Sequence, residues 1–349
     1  MSRRRRLAIA AFAGAAAARP VLDGLVGRVE DRMNPVGPVP TSPASERAVA
    51  LQVLSMAVKT PRGLNIERNY DSSDQVLPLA IAKRWPRASW GRLLPRVEHL
   101  AAQAHGFAAR SGGALRIVTT QADLAAYLAA REARGGMTAA LLSIEGAHAL
   151  EDDPANVDVV ADLGVRMISP AHFFDTAFGG SAHGLEQGGL TALGRELVAR
   201  MEARSVLLDV AHASARTIDD ALEVSTRPVI ASHTGVRGVL DNARNLSDTH
   251  LAGIAATGGI VGIGFWPTAC GGEGVSWIAR SIAYAVECIG VDHVALGSDW
   301  DGAVPVPIDA AATVRLTDAL LDVGLDEDAI RAVMGENVLR LLAATLPPT

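Results

Sequence analysis

An α/β barrel of the (β/α)8 type is the fold this sequence predicts, and two observations predict it. From Val49 onward, short β-branched apolar runs alternate with Ala-, Leu- and Arg-rich helical stretches. The runs are continuously apolar, as strands are when both faces of a parallel sheet are covered. No G-x-G-x-x-G fingerprint follows the first run, which weakens a dinucleotide-binding sheet and leaves the barrel. Composition agrees: of 349 residues, 49% are hydrophobic and 20% charged, ample for a core and too apolar for disorder. The 32 Lys and Arg against 38 Asp and Glu give a net charge of −6, which argues against a nucleic-acid partner. Two cysteines, Cys270 and Cys288, cannot build a four-thiolate zinc site.

The chain begins with a basic cluster, Arg3 to Arg6, then the apolar run Leu7 to Ala18 and Arg19-Pro20. Spanning a bilayer takes about 20 apolar residues, so residues 1–20 read as an export signal or a membrane tether rather than a full span. The expectation is an exported, periplasmic or otherwise extracytoplasmic protein; the alternative is a cytoplasmic one with an Ala-rich first helix. Residues 21–48 form a linker, with Pro35, Pro38, Pro40 and Pro43 among small polar residues. Residues 49–349 form the barrel domain.

Within that domain the predicted strands are 50–58, 114–118 (the shortest), 138–144, 165–169, 205–210, 228–232, 259–265 and 293–298. Helical patterns cover 91–109, 121–134, 189–203, 215–223, 276–289 and 310–322. The strand ends carry the chemistry. Glu145 follows the run at 138–144, His172 follows 165–169, His212 follows 205–210, His233 ends 228–232, and Asp299 follows 293–298. One polar residue at such a place is usually a turn former or a helix cap. Five at the same topological position converge on one face of a barrel, where barrel enzymes build their sites.

Glu145, His212 and His233 supply one carboxylate and two imidazoles, a set suited to catalytic zinc with a position left for water. Asp299 would then be the general base. His172 would stabilise a developing oxyanion or position substrate. His99, His105, His250 and His293 read as surface or capping groups, while His148 and His183 fall in loops on the active face.

The strings SIEGAH (143–148), ISPAHFFD (168–175), LLDVAHAS (207–214), VIASHTG (229–235), ARNLSD (243–248) and ALGSDWDG (295–302) resemble those of the membrane dipeptidase family of metallopeptidases. The resemblance runs from about Val49 to near the C-terminus. It implies a TIM-like barrel of the metal-dependent hydrolase type with two zinc ions, hydrolysing dipeptides and often tolerating a D-residue at the C-terminal position. Position by position, it implies that Glu145 bridges the metals, that His212 and His233 bind one zinc, that His172 and Arg244 bind substrate and that Asp299 transfers the proton. A guanidinium fork at Arg244 suits a free carboxylate, and Asp301 reads as a cap of the following segment.

One departure stands out. The family opens its barrel with a strand ending in His-x-Asp, and no His-x-Asp occurs in this sequence. The first strand is therefore read as missing, with one zinc site supported and the second lacking ligands. Impaired turnover and poor stability are expected, with 114–118 or 21–33 only partly covering the gap. A dipeptide is the expected small-molecule partner, and a homodimer is left open. Two other readings compete: a different amidohydrolase-type barrel hydrolase, and a barrel that no longer catalyses. The only lysines, Lys59 and Lys83, do not follow a strand that could place a bridging carboxylated lysine, which disfavours the first of these.

Overall fold

The computed structural model of the chain describes residues 84–349, apart from Asp301 and Ala303. The expected export segment, the linker, the strand at 50–58 and Asp301 lie outside the described residues.

Among the described residues eight strands follow in chain order: β1 (Leu115–Ile117), β2 (Thr138–Ala140), β3 (Leu142–Glu145), β4 (Val165–Ser169), β5 (Leu207–Asp209), β6 (Val229–Thr234), β7 (Val261–Gly264) and β8 (Val294–Gly297). Every pairing is parallel. β1 pairs with β2, and β3 to β8 pair consecutively in a second ladder. The expected single run at 138–144 is thus interrupted at Leu141, where it leaves β1 and turns to β4. As one bent stave it joins the two ladders, giving seven staves in sequence order among the described residues. The run at 114–118 is one of these staves in its own place, paired with β2, rather than the patch over a gap that the sequence suggested. Parallel staves in consecutive order, each separated from the next by helix, are the signature of a TIM-like α/β barrel.

Both faces of the staves are apolar. Leu208, Val229, Ala231, Val261 and Val294 pack in one cluster with helix residues such as Leu197, Ile254 and Ile282. Ala139, Leu207, Ile230 and Ala295 pack in a second cluster, which the C-terminal helix Asn337–Thr345 enters through Leu341 and Leu342. Burial on both faces explains why the runs read as continuous rather than alternating.

Helices Leu93–Arg110, Gln121–Arg134, Ala192–Ala203, Ala215–Val224, Val275–Ile289 and Val314–Asp322 fall where periodicity placed them. Helix Asp248–Ala256 was not anticipated, being short and apolar nearly all round. Among the described residues no helix is long and apolar enough to cross a membrane.

Helix Gln121–Arg134 shows how local sequence fixes an element. Thr120 Oγ1 accepts from the Asp123 amide at 3.0 Å, while Asp123 Oδ2 accepts from the Thr120 amide at 3.1 Å, a reciprocal capping box. The helix then buries Leu124 and Tyr127. Thr120→Ala is expected to cost about 1 kcal/mol, read as a lower midpoint in chemical denaturation. An unchanged midpoint would mean that tertiary packing alone sets this helix start.

A buried carboxylate and imidazole cluster at the strand ends

The five strand-end residues sit where the sequence put them. Glu145 is the last residue of β3 and His233 lies near the end of β6, while His172, His212 and Asp299 follow β4, β5 and β8 within three residues. His212 and Asp299 have left-handed backbones, at φ +62° and +51°. His and Asp tolerate that region better than most residues, and strained positions of this kind gather at functional sites.

Strict alternation along β6 would point His233 the same way as Ala231, into the helix-packed cluster. A register shift between Ala231 and Thr234 intervenes, and such an irregularity re-aims a side chain. His233 consequently faces Glu145.

The geometry is tight. Glu145 Oε1 lies 2.7 Å from His212 Nε2, 3.1 Å from His233 Nε2 and 3.7 Å from His172 Nε2. The Nε2 atoms of His212 and His233 are 2.9 Å apart. All four side chains are buried. His172, read from the sequence only as a substrate or oxyanion residue, thus stands in the cluster itself, and Glu145, His172 and His212 present ligand atoms within 4.8 Å of one another.

Burial opposes ionisation of Glu145, yet the imidazoles of His233 and His212 outweigh it and hold the carboxyl well below the usual carboxylate range. The two histidines diverge. Burial, with the positive Arg244 nearby, pushes His212 well down. Burial also works against a charged His233, but Glu145 and Asp299 overcome it and raise the ring's affinity for a proton. A neutral His212 presenting a bare Nε2 is the form in which imidazole binds metal.

Three inner imidazoles and one carboxylate crowd a single buried point, and Glu145 Oε1 finds no well-directed hydrogen bond there. Donors so arranged fit a borderline divalent ion such as zinc, which takes nitrogen and oxygen ligands together.

Supporting contacts orient the set. Ser232 Oγ lies 2.9 Å from His233 Nδ1. The buried Asp209 accepts from the amides of Ser232 and Ala211, each at 2.9 Å, bracing the ends of β5 and β6. Arg244 is half-buried and its guanidinium donates to the His233 carbonyl at 2.7 Å. Burial lowers the Arg244 pKa, against the pull of Glu145, Asp299 and Asp209, so the cation faces the same acidic centre as the imidazoles.

Sequence reasoning missed Asp209, Ser232, Trp266 and Phe173. Trp266 follows β7 and lies 5.8 Å from the His233 ring, so the strand-end rule itself would have found it had aromatic side chains been admitted. His183, left ambiguous, comes within 5.3 Å of the His212 ring. His148 packs on Phe174 at 4.8 Å. Of the histidines read as surface or capping groups, His293 bonds the Gly259 carbonyl at 2.8 Å, whereas His250 is buried and pairs with Asp219 at 3.1 Å.

Gly146 follows Glu145 at φ +101°, where a Cβ would lie 2.4 Å from His148 Cε1 and 3.1 Å from His172 Cβ. Gly146→Ala therefore combines backbone strain with a clash beside the cluster. It is expected to destabilise by about 2–4 kcal/mol, measured by denaturation; a neutral substitution would show that this turn relaxes freely.

Parallel staves in barrel order, with a buried carboxylate and imidazoles gathered at their C-terminal ends, define the metal-dependent hydrolase class. The family model for membrane dipeptidase, peptidase family M19, matches residues 81–346, and the chain belongs to that family of metallo-dipeptidases. It is 31% identical over 249 residues to an uncharacterized protein in the pqqA 5′ region of Klebsiella pneumoniae, an alignment covering 67% of this chain and 90% of that one. It is 30% identical over 223 residues to an uncharacterized dipeptidase of Schizosaccharomyces pombe, covering 60% of this chain and 54% of that one. The chain thus spans about half the length of this yeast relative. The crystal structure of a Rhodobacter sphaeroides metallo peptidase, liganded with a phosphinate mimic of the dipeptide L-Ala-D-Ala, superposes with a TM-score of 0.65 at 26% identity. That match covers 87% of this chain and 84% of that one.

Proposed function

We propose that the protein is a zinc-dependent dipeptidase. One observation carries the reading: Glu145 Oε1 stands within 3.7 Å of three buried imidazole nitrogens, with Arg244 anchored alongside on His233. The dipeptide mimic bound by the Rhodobacter relative supports the substrate class.

Glu145, His212 and His233 would hold the zinc, and His172 Nε2 lies close enough to share the site or to meet the substrate's carbonyl oxygen. Zinc in such a site supplies Lewis-acid activation of water and of the scissile carbonyl. The chain's own residues do the rest. Arg244 grips the free carboxylate of the dipeptide, fixing the scissile bond over the cluster. Asp299, whose charge bears on His233 and Arg244, takes the proton of the attacking water and returns it to the leaving amine. His172 donates to the oxygen on which negative charge develops.

The sequence offers no His-x-Asp for a second metal. About one equivalent of tightly bound zinc per chain is therefore proposed, with turnover reduced from that of a two-metal site. Export or tethering through residues 1–20 completes the proposal, and the N-terminus of protein recovered outside the cytoplasm checks it.

Elemental analysis of purified protein, paired with hydrolysis of a dipeptide panel, tests the main reading. One zinc with dipeptide turnover is expected. Two tightly held equivalents would overturn the single-site assignment, and a metal-loaded protein that hydrolyses no dipeptide would overturn the activity.

A further inference from the structure

The loop after β4 carries an aromatic wall to which the mechanism above gives no part. Phe173 is 51% exposed and its neighbour Phe174 is 40% exposed, both among the largest apolar side chains left open to solvent. Phe173 is not scattered surface: its ring lies 4.0 Å from that of His172, 5.3 Å from His212 and 5.1 Å from His183. An apolar ring left open beside a polar reaction centre invites an apolar group to cover it.

The wall is held in place before any substrate arrives. The Asp175 carboxylate accepts from the amides of Ser181 and Glu186, each at 2.8 Å. Ser181 Oγ donates to the His172 carbonyl, and the Ala182 amide donates to the His212 carbonyl at 2.7 Å. The loop is therefore stitched to the turn that carries His212, and little ordering is left to be lost on binding.

Its position relative to Arg244 sets which substrate residue it meets. Arg244 sits at the His233 end, bonded to the His233 carbonyl and 5.9 Å from the Trp266 ring. From His233 the rings run to His212 at 4.9 Å, then to His172 at 4.3 Å, then to Phe173 at 4.0 Å. Phe173 thus lies on the His172 side of the cluster, in ring contact with His172, His183 and His212, while the carboxylate anchor is fastened at His233. We infer that Phe173 is a specificity-determining residue, which packs against the side chain of the dipeptide's N-terminal residue and favours an aromatic or bulky aliphatic group there. The inference rests on the dipeptidase reading above and deepens it.

The test compares kcat/KM for Phe-Ala, Ala-Phe and Ala-Ala with the full, zinc-loaded chain and with Phe173→Ala and Phe173→Leu. The ratio of Phe-Ala to Ala-Ala should be about 10 or more in the parent, the discrimination that a few methylenes of apolar contact provide. It should fall about tenfold in Phe173→Ala and be largely kept in Phe173→Leu, which restores apolar surface. Taking a ratio within each variant removes any general loss of active protein. A parent ratio near one, or a ratio that Phe173→Ala leaves unmoved, overturns the inference while Ala-Ala hydrolysis still upholds the dipeptidase. A preference for Ala-Phe over Phe-Ala overturns the assignment to the N-terminal residue. Absence of hydrolysis of all three dipeptides by zinc-loaded protein overturns the dipeptidase reading, and this inference with it.

Discussion

Glu145→Gln and His233→Ala are each expected to abolish tight zinc binding and to lower dipeptide kcat/KM by about 1,000-fold, which is several kcal/mol of transition-state stabilisation. Glu145 is the common neighbour of His212, His233 and His172, so its amide leaves three imidazoles around a weak neutral donor. The His233 change removes a nitrogen that touches both Glu145 and His212. A graded control separates ligand from scaffold. Ser232→Ala keeps every inner donor but removes the hydroxyl 2.9 Å from His233 Nδ1, and loss of such an orienting partner typically costs 10–100-fold in metal affinity. Zinc content measured after dialysis against a graded chelator series reads all three variants. Full zinc retention in His233→Ala would place the metal elsewhere.

The parts of this site legible in the sequence were those a strand-end rule can reach. Glu145, His172, His212, His233 and Asp299 each end or follow a stave, and a parallel barrel gathers such ends on one face whatever the loops do. Arg244 was legible only through its flanking motif, because it sits in a loop and reaches the cluster by a bond to a backbone carbonyl. Pattern could not show that His172 joins the cluster, since that depends on how a three-residue step after β4 folds back. Nor could it show the turn of His233, which comes from a register shift in β6 that two-residue periodicity cannot express. The interruption at Leu141 was hidden for a similar reason: Leu142 and Ile144 are as apolar as the residues before them, so the run reads as one strand although it serves two neighbours. Phe173 and Trp266 escaped because only charged and imidazole groups were sought at the strand ends, yet recognition in a small-molecule site falls largely to apolar and aromatic walls.

Arg244→Ala is expected to raise KM for dipeptides far more than it lowers kcat, with a combined loss of about 100-fold, in the range found for truncating one partner of a buried charge pair. The loop from Gly235 to Leu246 is fastened at both ends: the Leu246 amide donates to the Gly235 carbonyl at 2.9 Å, and Asn245 Nδ2 donates to the Ala269 carbonyl at 3.1 Å. Asn242 Oδ1 accepts from the Arg244 amide at 2.9 Å. The guanidinium is therefore held ready, with one edge spent on the His233 carbonyl and the rest of the fork left to meet a substrate carboxylate. Arg244→Lys should recover little, because an ammonium cannot reproduce the planar fork or span both the carbonyl and the carboxylate. The sharpest reading uses the substrate rather than the enzyme. The parent should prefer a free dipeptide over its C-terminal amide by about 100-fold, since the amide presents neutral atoms to a half-buried cation. In Arg244→Ala that preference should shrink to within about threefold, as neither substrate then meets a charge. Persistence of the full preference in the variant would mean that another cation grips the carboxylate. The reaction would then have to be oriented from the opposite side of the cluster, and the wall at Phe173 would face the C-terminal residue instead.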